Sequence, residues 1–122
     1  MKSFLLVFLG GGLGSGLRYL VTMAMNQYSK VFPFGTFTVN ILGCLFIGLV
    51  LGYAQKENTL TSNQTLLLAT GFCGGFTTFS AFANENLELI KNGEIFNFSV
   101  YTIGSVLIGI TAIFIGFYLT NR

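Results

Sequence analysis

Four long blocks of almost unbroken apolar residues, 3–25, 37–54, 65–90 and 96–119, alternate with short polar segments at 26–35, 55–64 and 92–95. A helix needs roughly 20 predominantly apolar residues to cross a bilayer. Each block therefore reads as a membrane-spanning helix. The third block differs from the others. It contains Gly71-Phe72-Cys73-Gly74-Gly75-Phe76-Thr77-Thr78-Phe79-Ser80-Ala81-Phe82. Two adjacent glycines, two adjacent threonines and a serine predict a break in the middle of this helix. Exposed backbone at membrane depth is tolerated only where protein or a water-filled path receives it. Channels and transporters place ion sites at such discontinuities. The pattern predicts an all-α membrane protein with four transmembrane helices, the third broken mid-membrane.

Composition supports this reading and excludes others. Of 122 residues, 52% are hydrophobic and 8% charged, against about 25% charged in a soluble protein. The spans leave no room for a soluble domain, so residues 1–122 read as one transmembrane domain. A net charge of +2 is too small to suggest nucleic acid. The chain has no histidine, which removes imidazole-based catalysis and the usual zinc ligand sets. Cys44 and Cys73 fall inside spans and read as small buried residues rather than a disulfide. The basic start at Lys2 and the apolar run from Phe4 resemble a signal peptide. No small-residue cleavage site bounds that run, so it reads as a retained helix.

Glycines recur at four-residue spacing: Gly10 and Gly14, Gly12 and Gly16, Gly48 and Gly52, Gly71 and Gly75. Small residues at this spacing let membrane helices approach closely. The first cluster does not have the dinucleotide-binding spacing and follows no strand. Thr61, Ser62 and Asn63 offer caps for the third helix. Basic residues carry a topological message. Lys2, Lys56 and Arg122 fall on one side of the membrane. Lys30 and Lys91 fall on the other, with Arg18 towards that end of the first helix. Orientation normally follows an excess of Lys and Arg on the cytoplasmic side. Three against three gives no bias, so the chain can insert both ways and pair antiparallel.

Each polar group inside a span asks for a reason. Asn40 can hydrogen-bond a neighbouring helix, or its amide can donate to an anion. Arg18 can snorkel to the interface, or draw anions into a vestibule. Tyr101 and Ser105 share one helical face. They can line a polar track or bond to neighbouring backbone. Glu85 follows the break closely enough to be a pore-mouth residue, and Glu88 lies nearer the interface. Phe79 and Phe82 also share a face. Packing is the usual role of phenylalanine, but its ring edge carries partial positive charge and can face an anion beside Thr77, Ser80 and Asn40.

These residues, taken together, resemble the Fluc (CrcB) fluoride channels over nearly the full length. The resemblance rests on Gly10-Gly-Gly-Leu-Gly14 leading to Arg18-Tyr19, on Pro33-Phe-Gly35-Thr36 with Val39-Asn40 and Gly43, and on the whole 71–82 motif with Glu85. Tyr101 and Ser105 add to it. It implies a dual-topology antiparallel dimer in the cell inner or plasma membrane, exporting fluoride passively through two pores lined by both subunits. It implies pore roles for Asn40, Phe79 and Phe82, a polar track of Ser80, Tyr101 and Ser105, and a place near the aqueous vestibule for Arg18. It also implies a structural sodium ion at the dimer interface, held by the backbone carbonyls of Gly74 and Thr77. One departure is visible: Ala81 stands where the family often has threonine, so one hydroxyl is lost. Some family members pair as heterodimers of paralogous subunits. This chain keeps both phenylalanines and the asparagine, which favours a homodimer.

A small multidrug-type exporter is the runner-up, being also four-helix and dual-topology. That class resembles proton-coupled exporters with an essential glutamate in the first helix. No carboxylate lies there, and the broken third helix has no part in that reading. A non-transporting assembly protein would explain the glycine faces but not the polar residues around the break. No acid–base pair suited to an enzyme lies in the spans.

Overall fold

The computed structural model describes residues 1–56 and 59–122, so positions 57 and 58 of the second loop lie outside it. All regular secondary structure among the described residues is helical. Helix α1 spans Lys2–Asn26, α2 Phe34–Gln55, and α6 Ile95–Asn121. Between α2 and α6 lies a segmented third span. It comprises α3 (Ser62–Thr65), a π-helical stretch (Leu66–Cys73), α4 (Gly74–Phe76) and α5 (Phe79–Lys91). Four spans are long and apolar enough to cross a membrane. The protein is a multi-pass membrane protein.

The third span starts with a capping box. Thr61 Oγ1 accepts from the Gln64 amide at 3.1 Å, and the Gln64 side chain accepts from the Thr61 amide at 2.9 Å. This satisfies two of the orphan donors at a helix start. The chain then continues helically to Phe76. Only Thr77 and Thr78 are extended, with φ/ψ of −86/159° and −151/121°. Roughly 20 Å of helix lies on each side of them at 1.5 Å per residue. The break therefore sits near mid-depth.

Sequence patterning locates this break correctly and includes the two threonines that make it, but the glycines it also names do not break the helix. Gly71, Gly74 and Gly75 are helical. Two of them serve close approach to α1 instead. A Cβ on Gly71 would lie 3.2 Å from the Gly10 Cα, and one on Gly75 2.9 Å from the Gly11 Cα. On the facing helix, a Cβ on Gly14 would lie 2.8 Å from the Phe76 amide nitrogen. Gly12 and Gly16 have open space instead, so that pair packs against nothing within the chain.

A second tight pair joins α2 to α6. A Cβ on Gly116 would lie 2.8 Å from the Leu49 amide nitrogen, and one on Gly48 3.1 Å from the Ile113 Cα. Thr120 Oγ1 bonds to the Leu49 carbonyl at 2.9 Å across the same seam. Gly93 alone among the described glycines has φ in the left-handed region, at 73°. There it ends α5, and the Glu94 amide returns to the Leu89 carbonyl at 2.8 Å, as in a Schellman-type cap. Many large apolar side chains remain exposed on the outside of the bundle, as lipid or a second copy requires.

Candidate functional site

The extended pair Thr77–Thr78 disrupts the helical hydrogen bonds on both sides, and the fold answers them one by one. The Cys73 carbonyl accepts from both the amide and the hydroxyl of Thr77, each at 2.9 Å. Thr78 caps α5: its hydroxyl accepts from the Ala81 amide at 3.2 Å and lies 3.1 Å from the Ser80 hydroxyl. The backbone of Thr78 is taken by Asn40 on α2. Asn40 Nδ2 donates to the Thr78 carbonyl at 3.1 Å, and Oδ1 accepts from the Thr78 amide at 2.8 Å. This pairing fixes the orientation of the Asn40 amide and leaves one of its two N–H groups free of Thr78. Gly75 turns its carbonyl to α1, where Arg18 Nε donates at 2.9 Å and Ser15 Oγ at 3.3 Å. Among the described residues, no donor reaches the carbonyls of Gly74 or Thr77.

Beside the break lies a cavity of about 440 Å³. Asn40, Gly74, Thr77, Phe79, Phe82 and Ser105 line it, with Cys44 and Cys73 also on its wall. Both cysteines are free, as the sequence suggests. The cavity is largely apolar with a few convergent polar groups, the usual make-up of a small-ligand site. The Ser105 hydroxyl is buried and without a hydrogen-bond partner among the described residues. A buried polar group left unpaired asks for an explanation. Phe79 is 79% exposed in the single chain. Its ring centroid lies 5.8 Å from that of Phe82.

Behind Phe82 the aromatic contact continues to Tyr101, at a ring separation of 5.1 Å. Tyr101 is completely buried. Its hydroxyl donates to Glu85 Oε1 at 3.3 Å, and the Thr36 hydroxyl donates to Glu85 Oε2 at 2.9 Å. Three helices thus meet on one carboxylate: α2, α5 and α6. Glu85 also lines a second, more polar cavity of about 430 Å³, together with Asn26, Lys30, Pro33, Glu88 and Asn92. Phe82 lines the first cavity and Glu85 the second, and Tyr101 touches both residues.

The sequence-derived candidates therefore separate into four places. Asn40, Phe79, Phe82, Ser105, Gly74 and Thr77 share one cavity. Tyr101 stands behind it, bonded to Glu85, and Ser80 lies on the exposed side of α5 beside Thr78. Arg18 is on the α1 side, half-buried and bonded to Gly75. Sequence reasoning gave no role to Thr36 as a partner of Glu85, or to Thr78 as a cap. A threonine beginning a helix after a glycine-rich stretch was the available signal for Thr78.

A discontinuous third span beside a cavity of convergent, uncommitted polar groups places this multi-pass protein among membrane proteins with an intramembrane site. The chain belongs to the CrcB family: the model described as CrcB-like protein, Camphor Resistance (CrcB), matches residues 5–117. Curated relatives agree over the full length. The fluoride-specific ion channel FluC of Flavobacterium psychrophilum is 46% identical, covering 100% of this chain and 99% of the relative. Those of Phocaeicola vulgatus and Gloeothece citriformis are 48% and 50% identical, over 99% and 100% of this chain and 100% and 99% of the relatives.

Proposed function

We propose that this chain is a fluoride-selective channel of the cell membrane, passing fluoride passively out of the cytoplasm. The observation that carries this reading is the cavity that gathers the spare Asn40 N–H, the unpartnered Ser105 hydroxyl and the rings of Phe79 and Phe82. Fluoride is small and strongly hydrated. A filter for it must replace water with close donors, yet hold the ion weakly enough to release it. Neutral amide, hydroxyl and ring-edge groups fit that compromise. From the cavity the ion passes Phe82 and Tyr101. The Tyr101 and Thr36 hydroxyls, which donate to Glu85 at rest, turn towards the ion as it moves to the second cavity. The full names of the relatives, each a fluoride-specific ion channel, support the same substrate.

The working unit is an antiparallel homodimer with two pores. Phe79 projects from the single chain, and the cavity beside it is open to a second copy. The even division of basic residues favours insertion in both orientations. A sodium ion fits the carbonyls of Gly74 and Thr77, which have no donor among the described residues, and the open space around Gly74. Bound there, it would satisfy those carbonyls and raise the local positive potential.

The test is fluoride efflux from liposomes holding the purified protein, with chloride as control. Fluoride flux far above chloride flux is the expected result. Equal flux of both ions, or of neither, would overturn the proposal.

A further inference from the structure

We propose that Arg18 acts on the pore as a positioning residue, through a hydrogen bond to the Gly75 carbonyl, and not by presenting its charge to the vestibule. Arg18 lies about 12 Å from the C-terminal end of α1 at 1.5 Å per residue. Its side chain turns to the third span rather than along α1. Its Nε donates to the Gly75 carbonyl at 2.9 Å, and Ser15, one turn earlier on the same face, donates to the same oxygen at 3.3 Å.

The surroundings make this contact hard to replace. Gly75 sits in the last turn before the break, and a Cβ on it would strike the Gly11 backbone. Gly10 and Gly14 press equally closely on Gly71, Phe72 and Phe76. The glycine face of α1 brings the two helices together, and Ser15 and Arg18 then fix the rotation of the helix end. Gly74, the preceding residue, lines the cavity. Gly74 and Gly75 lie in one helical turn, whose φ/ψ and ladder hydrogen bonds set the relative directions of their carbonyls. Holding the Gly75 carbonyl towards α1 therefore fixes the direction of the Gly74 carbonyl and the start of the extended pair.

Three substitutions separate a donor from a charge. Glutamine carries its side-chain nitrogen the same number of bonds from Cα as Arg Nε, without the charge. Lysine keeps the charge, but its strongly hydrated ammonium seeks water rather than a carbonyl between helices. Methionine offers neither. Arg18→Gln keeps fluoride flux within about threefold of the parent protein, whereas Arg18→Lys and Arg18→Met lose about tenfold or more. Fluoride-over-chloride selectivity follows the same order.

The flux arm rests on the channel reading above, so a second readout is independent of it. In protein labelled at glycine carbonyl carbons and phenylalanine nitrogens, only three Gly–Phe pairs contribute, Gly71–Phe72, Gly75–Phe76 and Gly116–Phe117. The Gly75 carbonyl shift in bilayers moves in Arg18→Met and stays near the parent value in Arg18→Gln. A parent protein that passes no fluoride overturns the channel reading and leaves the shift series to decide this one. Arg18→Lys conducting as well as Arg18→Gln, or a Gly75 shift indifferent to Arg18→Met, overturns the positioning role.

Discussion

Asn40 holds the backbone of Thr78 from both directions, donating to its carbonyl at 3.1 Å and accepting from its amide at 2.8 Å. One side chain of α2 thus replaces two hydrogen bonds that a continuous helix would have made. Asn40→Asp removes the donor and adds a negative charge to a cavity proposed to receive an anion. Asn40→Ala leaves two part-buried backbone groups without their protein partner, at no more than about 1–3 kcal/mol each. Both variants should lose fluoride flux, read with a fluoride electrode on liposomes. Asn40→Ala should also unfold earlier in a thermal melt. A parent-like melt for Asn40→Ala would mean that water satisfies Thr78 instead.

Phe79 and Phe82 test whether aromatic rings contribute more than bulk. Phe79 is largely exposed in the single chain, while Phe82 packs in tilted contact with both Phe79 and Tyr101. Isoleucine fills similar space without a positive ring edge. Phe79→Ile and Phe82→Ile should each cut fluoride flux about tenfold or more while pairing of the chain, read by gel filtration or cross-linking, is retained. Full flux in both variants would reduce the rings to packing.

The four spans and the mid-membrane interruption were legible in the sequence because both follow from local patterning. Apolar blocks of membrane length permit little else. The cause of the interruption was less legible. Glycines looked like helix breakers, yet Gly71 and Gly75 stay helical because α1 presses on them. That reason lies in a partner helix about 60 residues away, not in the local run. The same holds for Arg18, whose partner is the Gly75 carbonyl, and for Thr36, whose partner is Glu85. Side-chain type and helical phase placed Tyr101 and Ser105 on one face, but not the contact of Tyr101 with Phe82 and Glu85.

Glu85 offers a prediction about the second cavity. Its two oxygens accept from Thr36 and Tyr101, on helices α2 and α6. Glu85→Gln preserves this junction, because a hydroxyl can rotate to accept from the new amide. Glu85→Ala removes the acceptor shared by the Tyr101 and Thr36 hydroxyls, at up to about 1–3 kcal/mol. Glu85→Gln should therefore melt close to the parent protein and Glu85→Ala clearly below it. Equal melting points would mean that the junction contributes nothing to the fold.

Neighbouring glycines should respond in opposite ways. Gly75→Ala drives a methyl group into the Gly11 backbone, so it must push α1 off the third span. Overpacking of this kind typically costs about 1–3 kcal/mol, and the single chain itself should be destabilised. A methyl group on Gly74 meets nothing within 4 Å in the chain. Gly74→Ala should leave the fold intact and act only on what occupies the cavity side of the break. If that side holds a second copy and a sodium ion, Gly74→Ala weakens pairing in detergent and removes the stabilisation that sodium gives over a bulky organic cation. Both effects are read by following dimer content and melting temperature in sodium and in N-methylglucamine buffers. Parent-like pairing and an unchanged sodium dependence in Gly74→Ala would place the partner surface and the ion elsewhere.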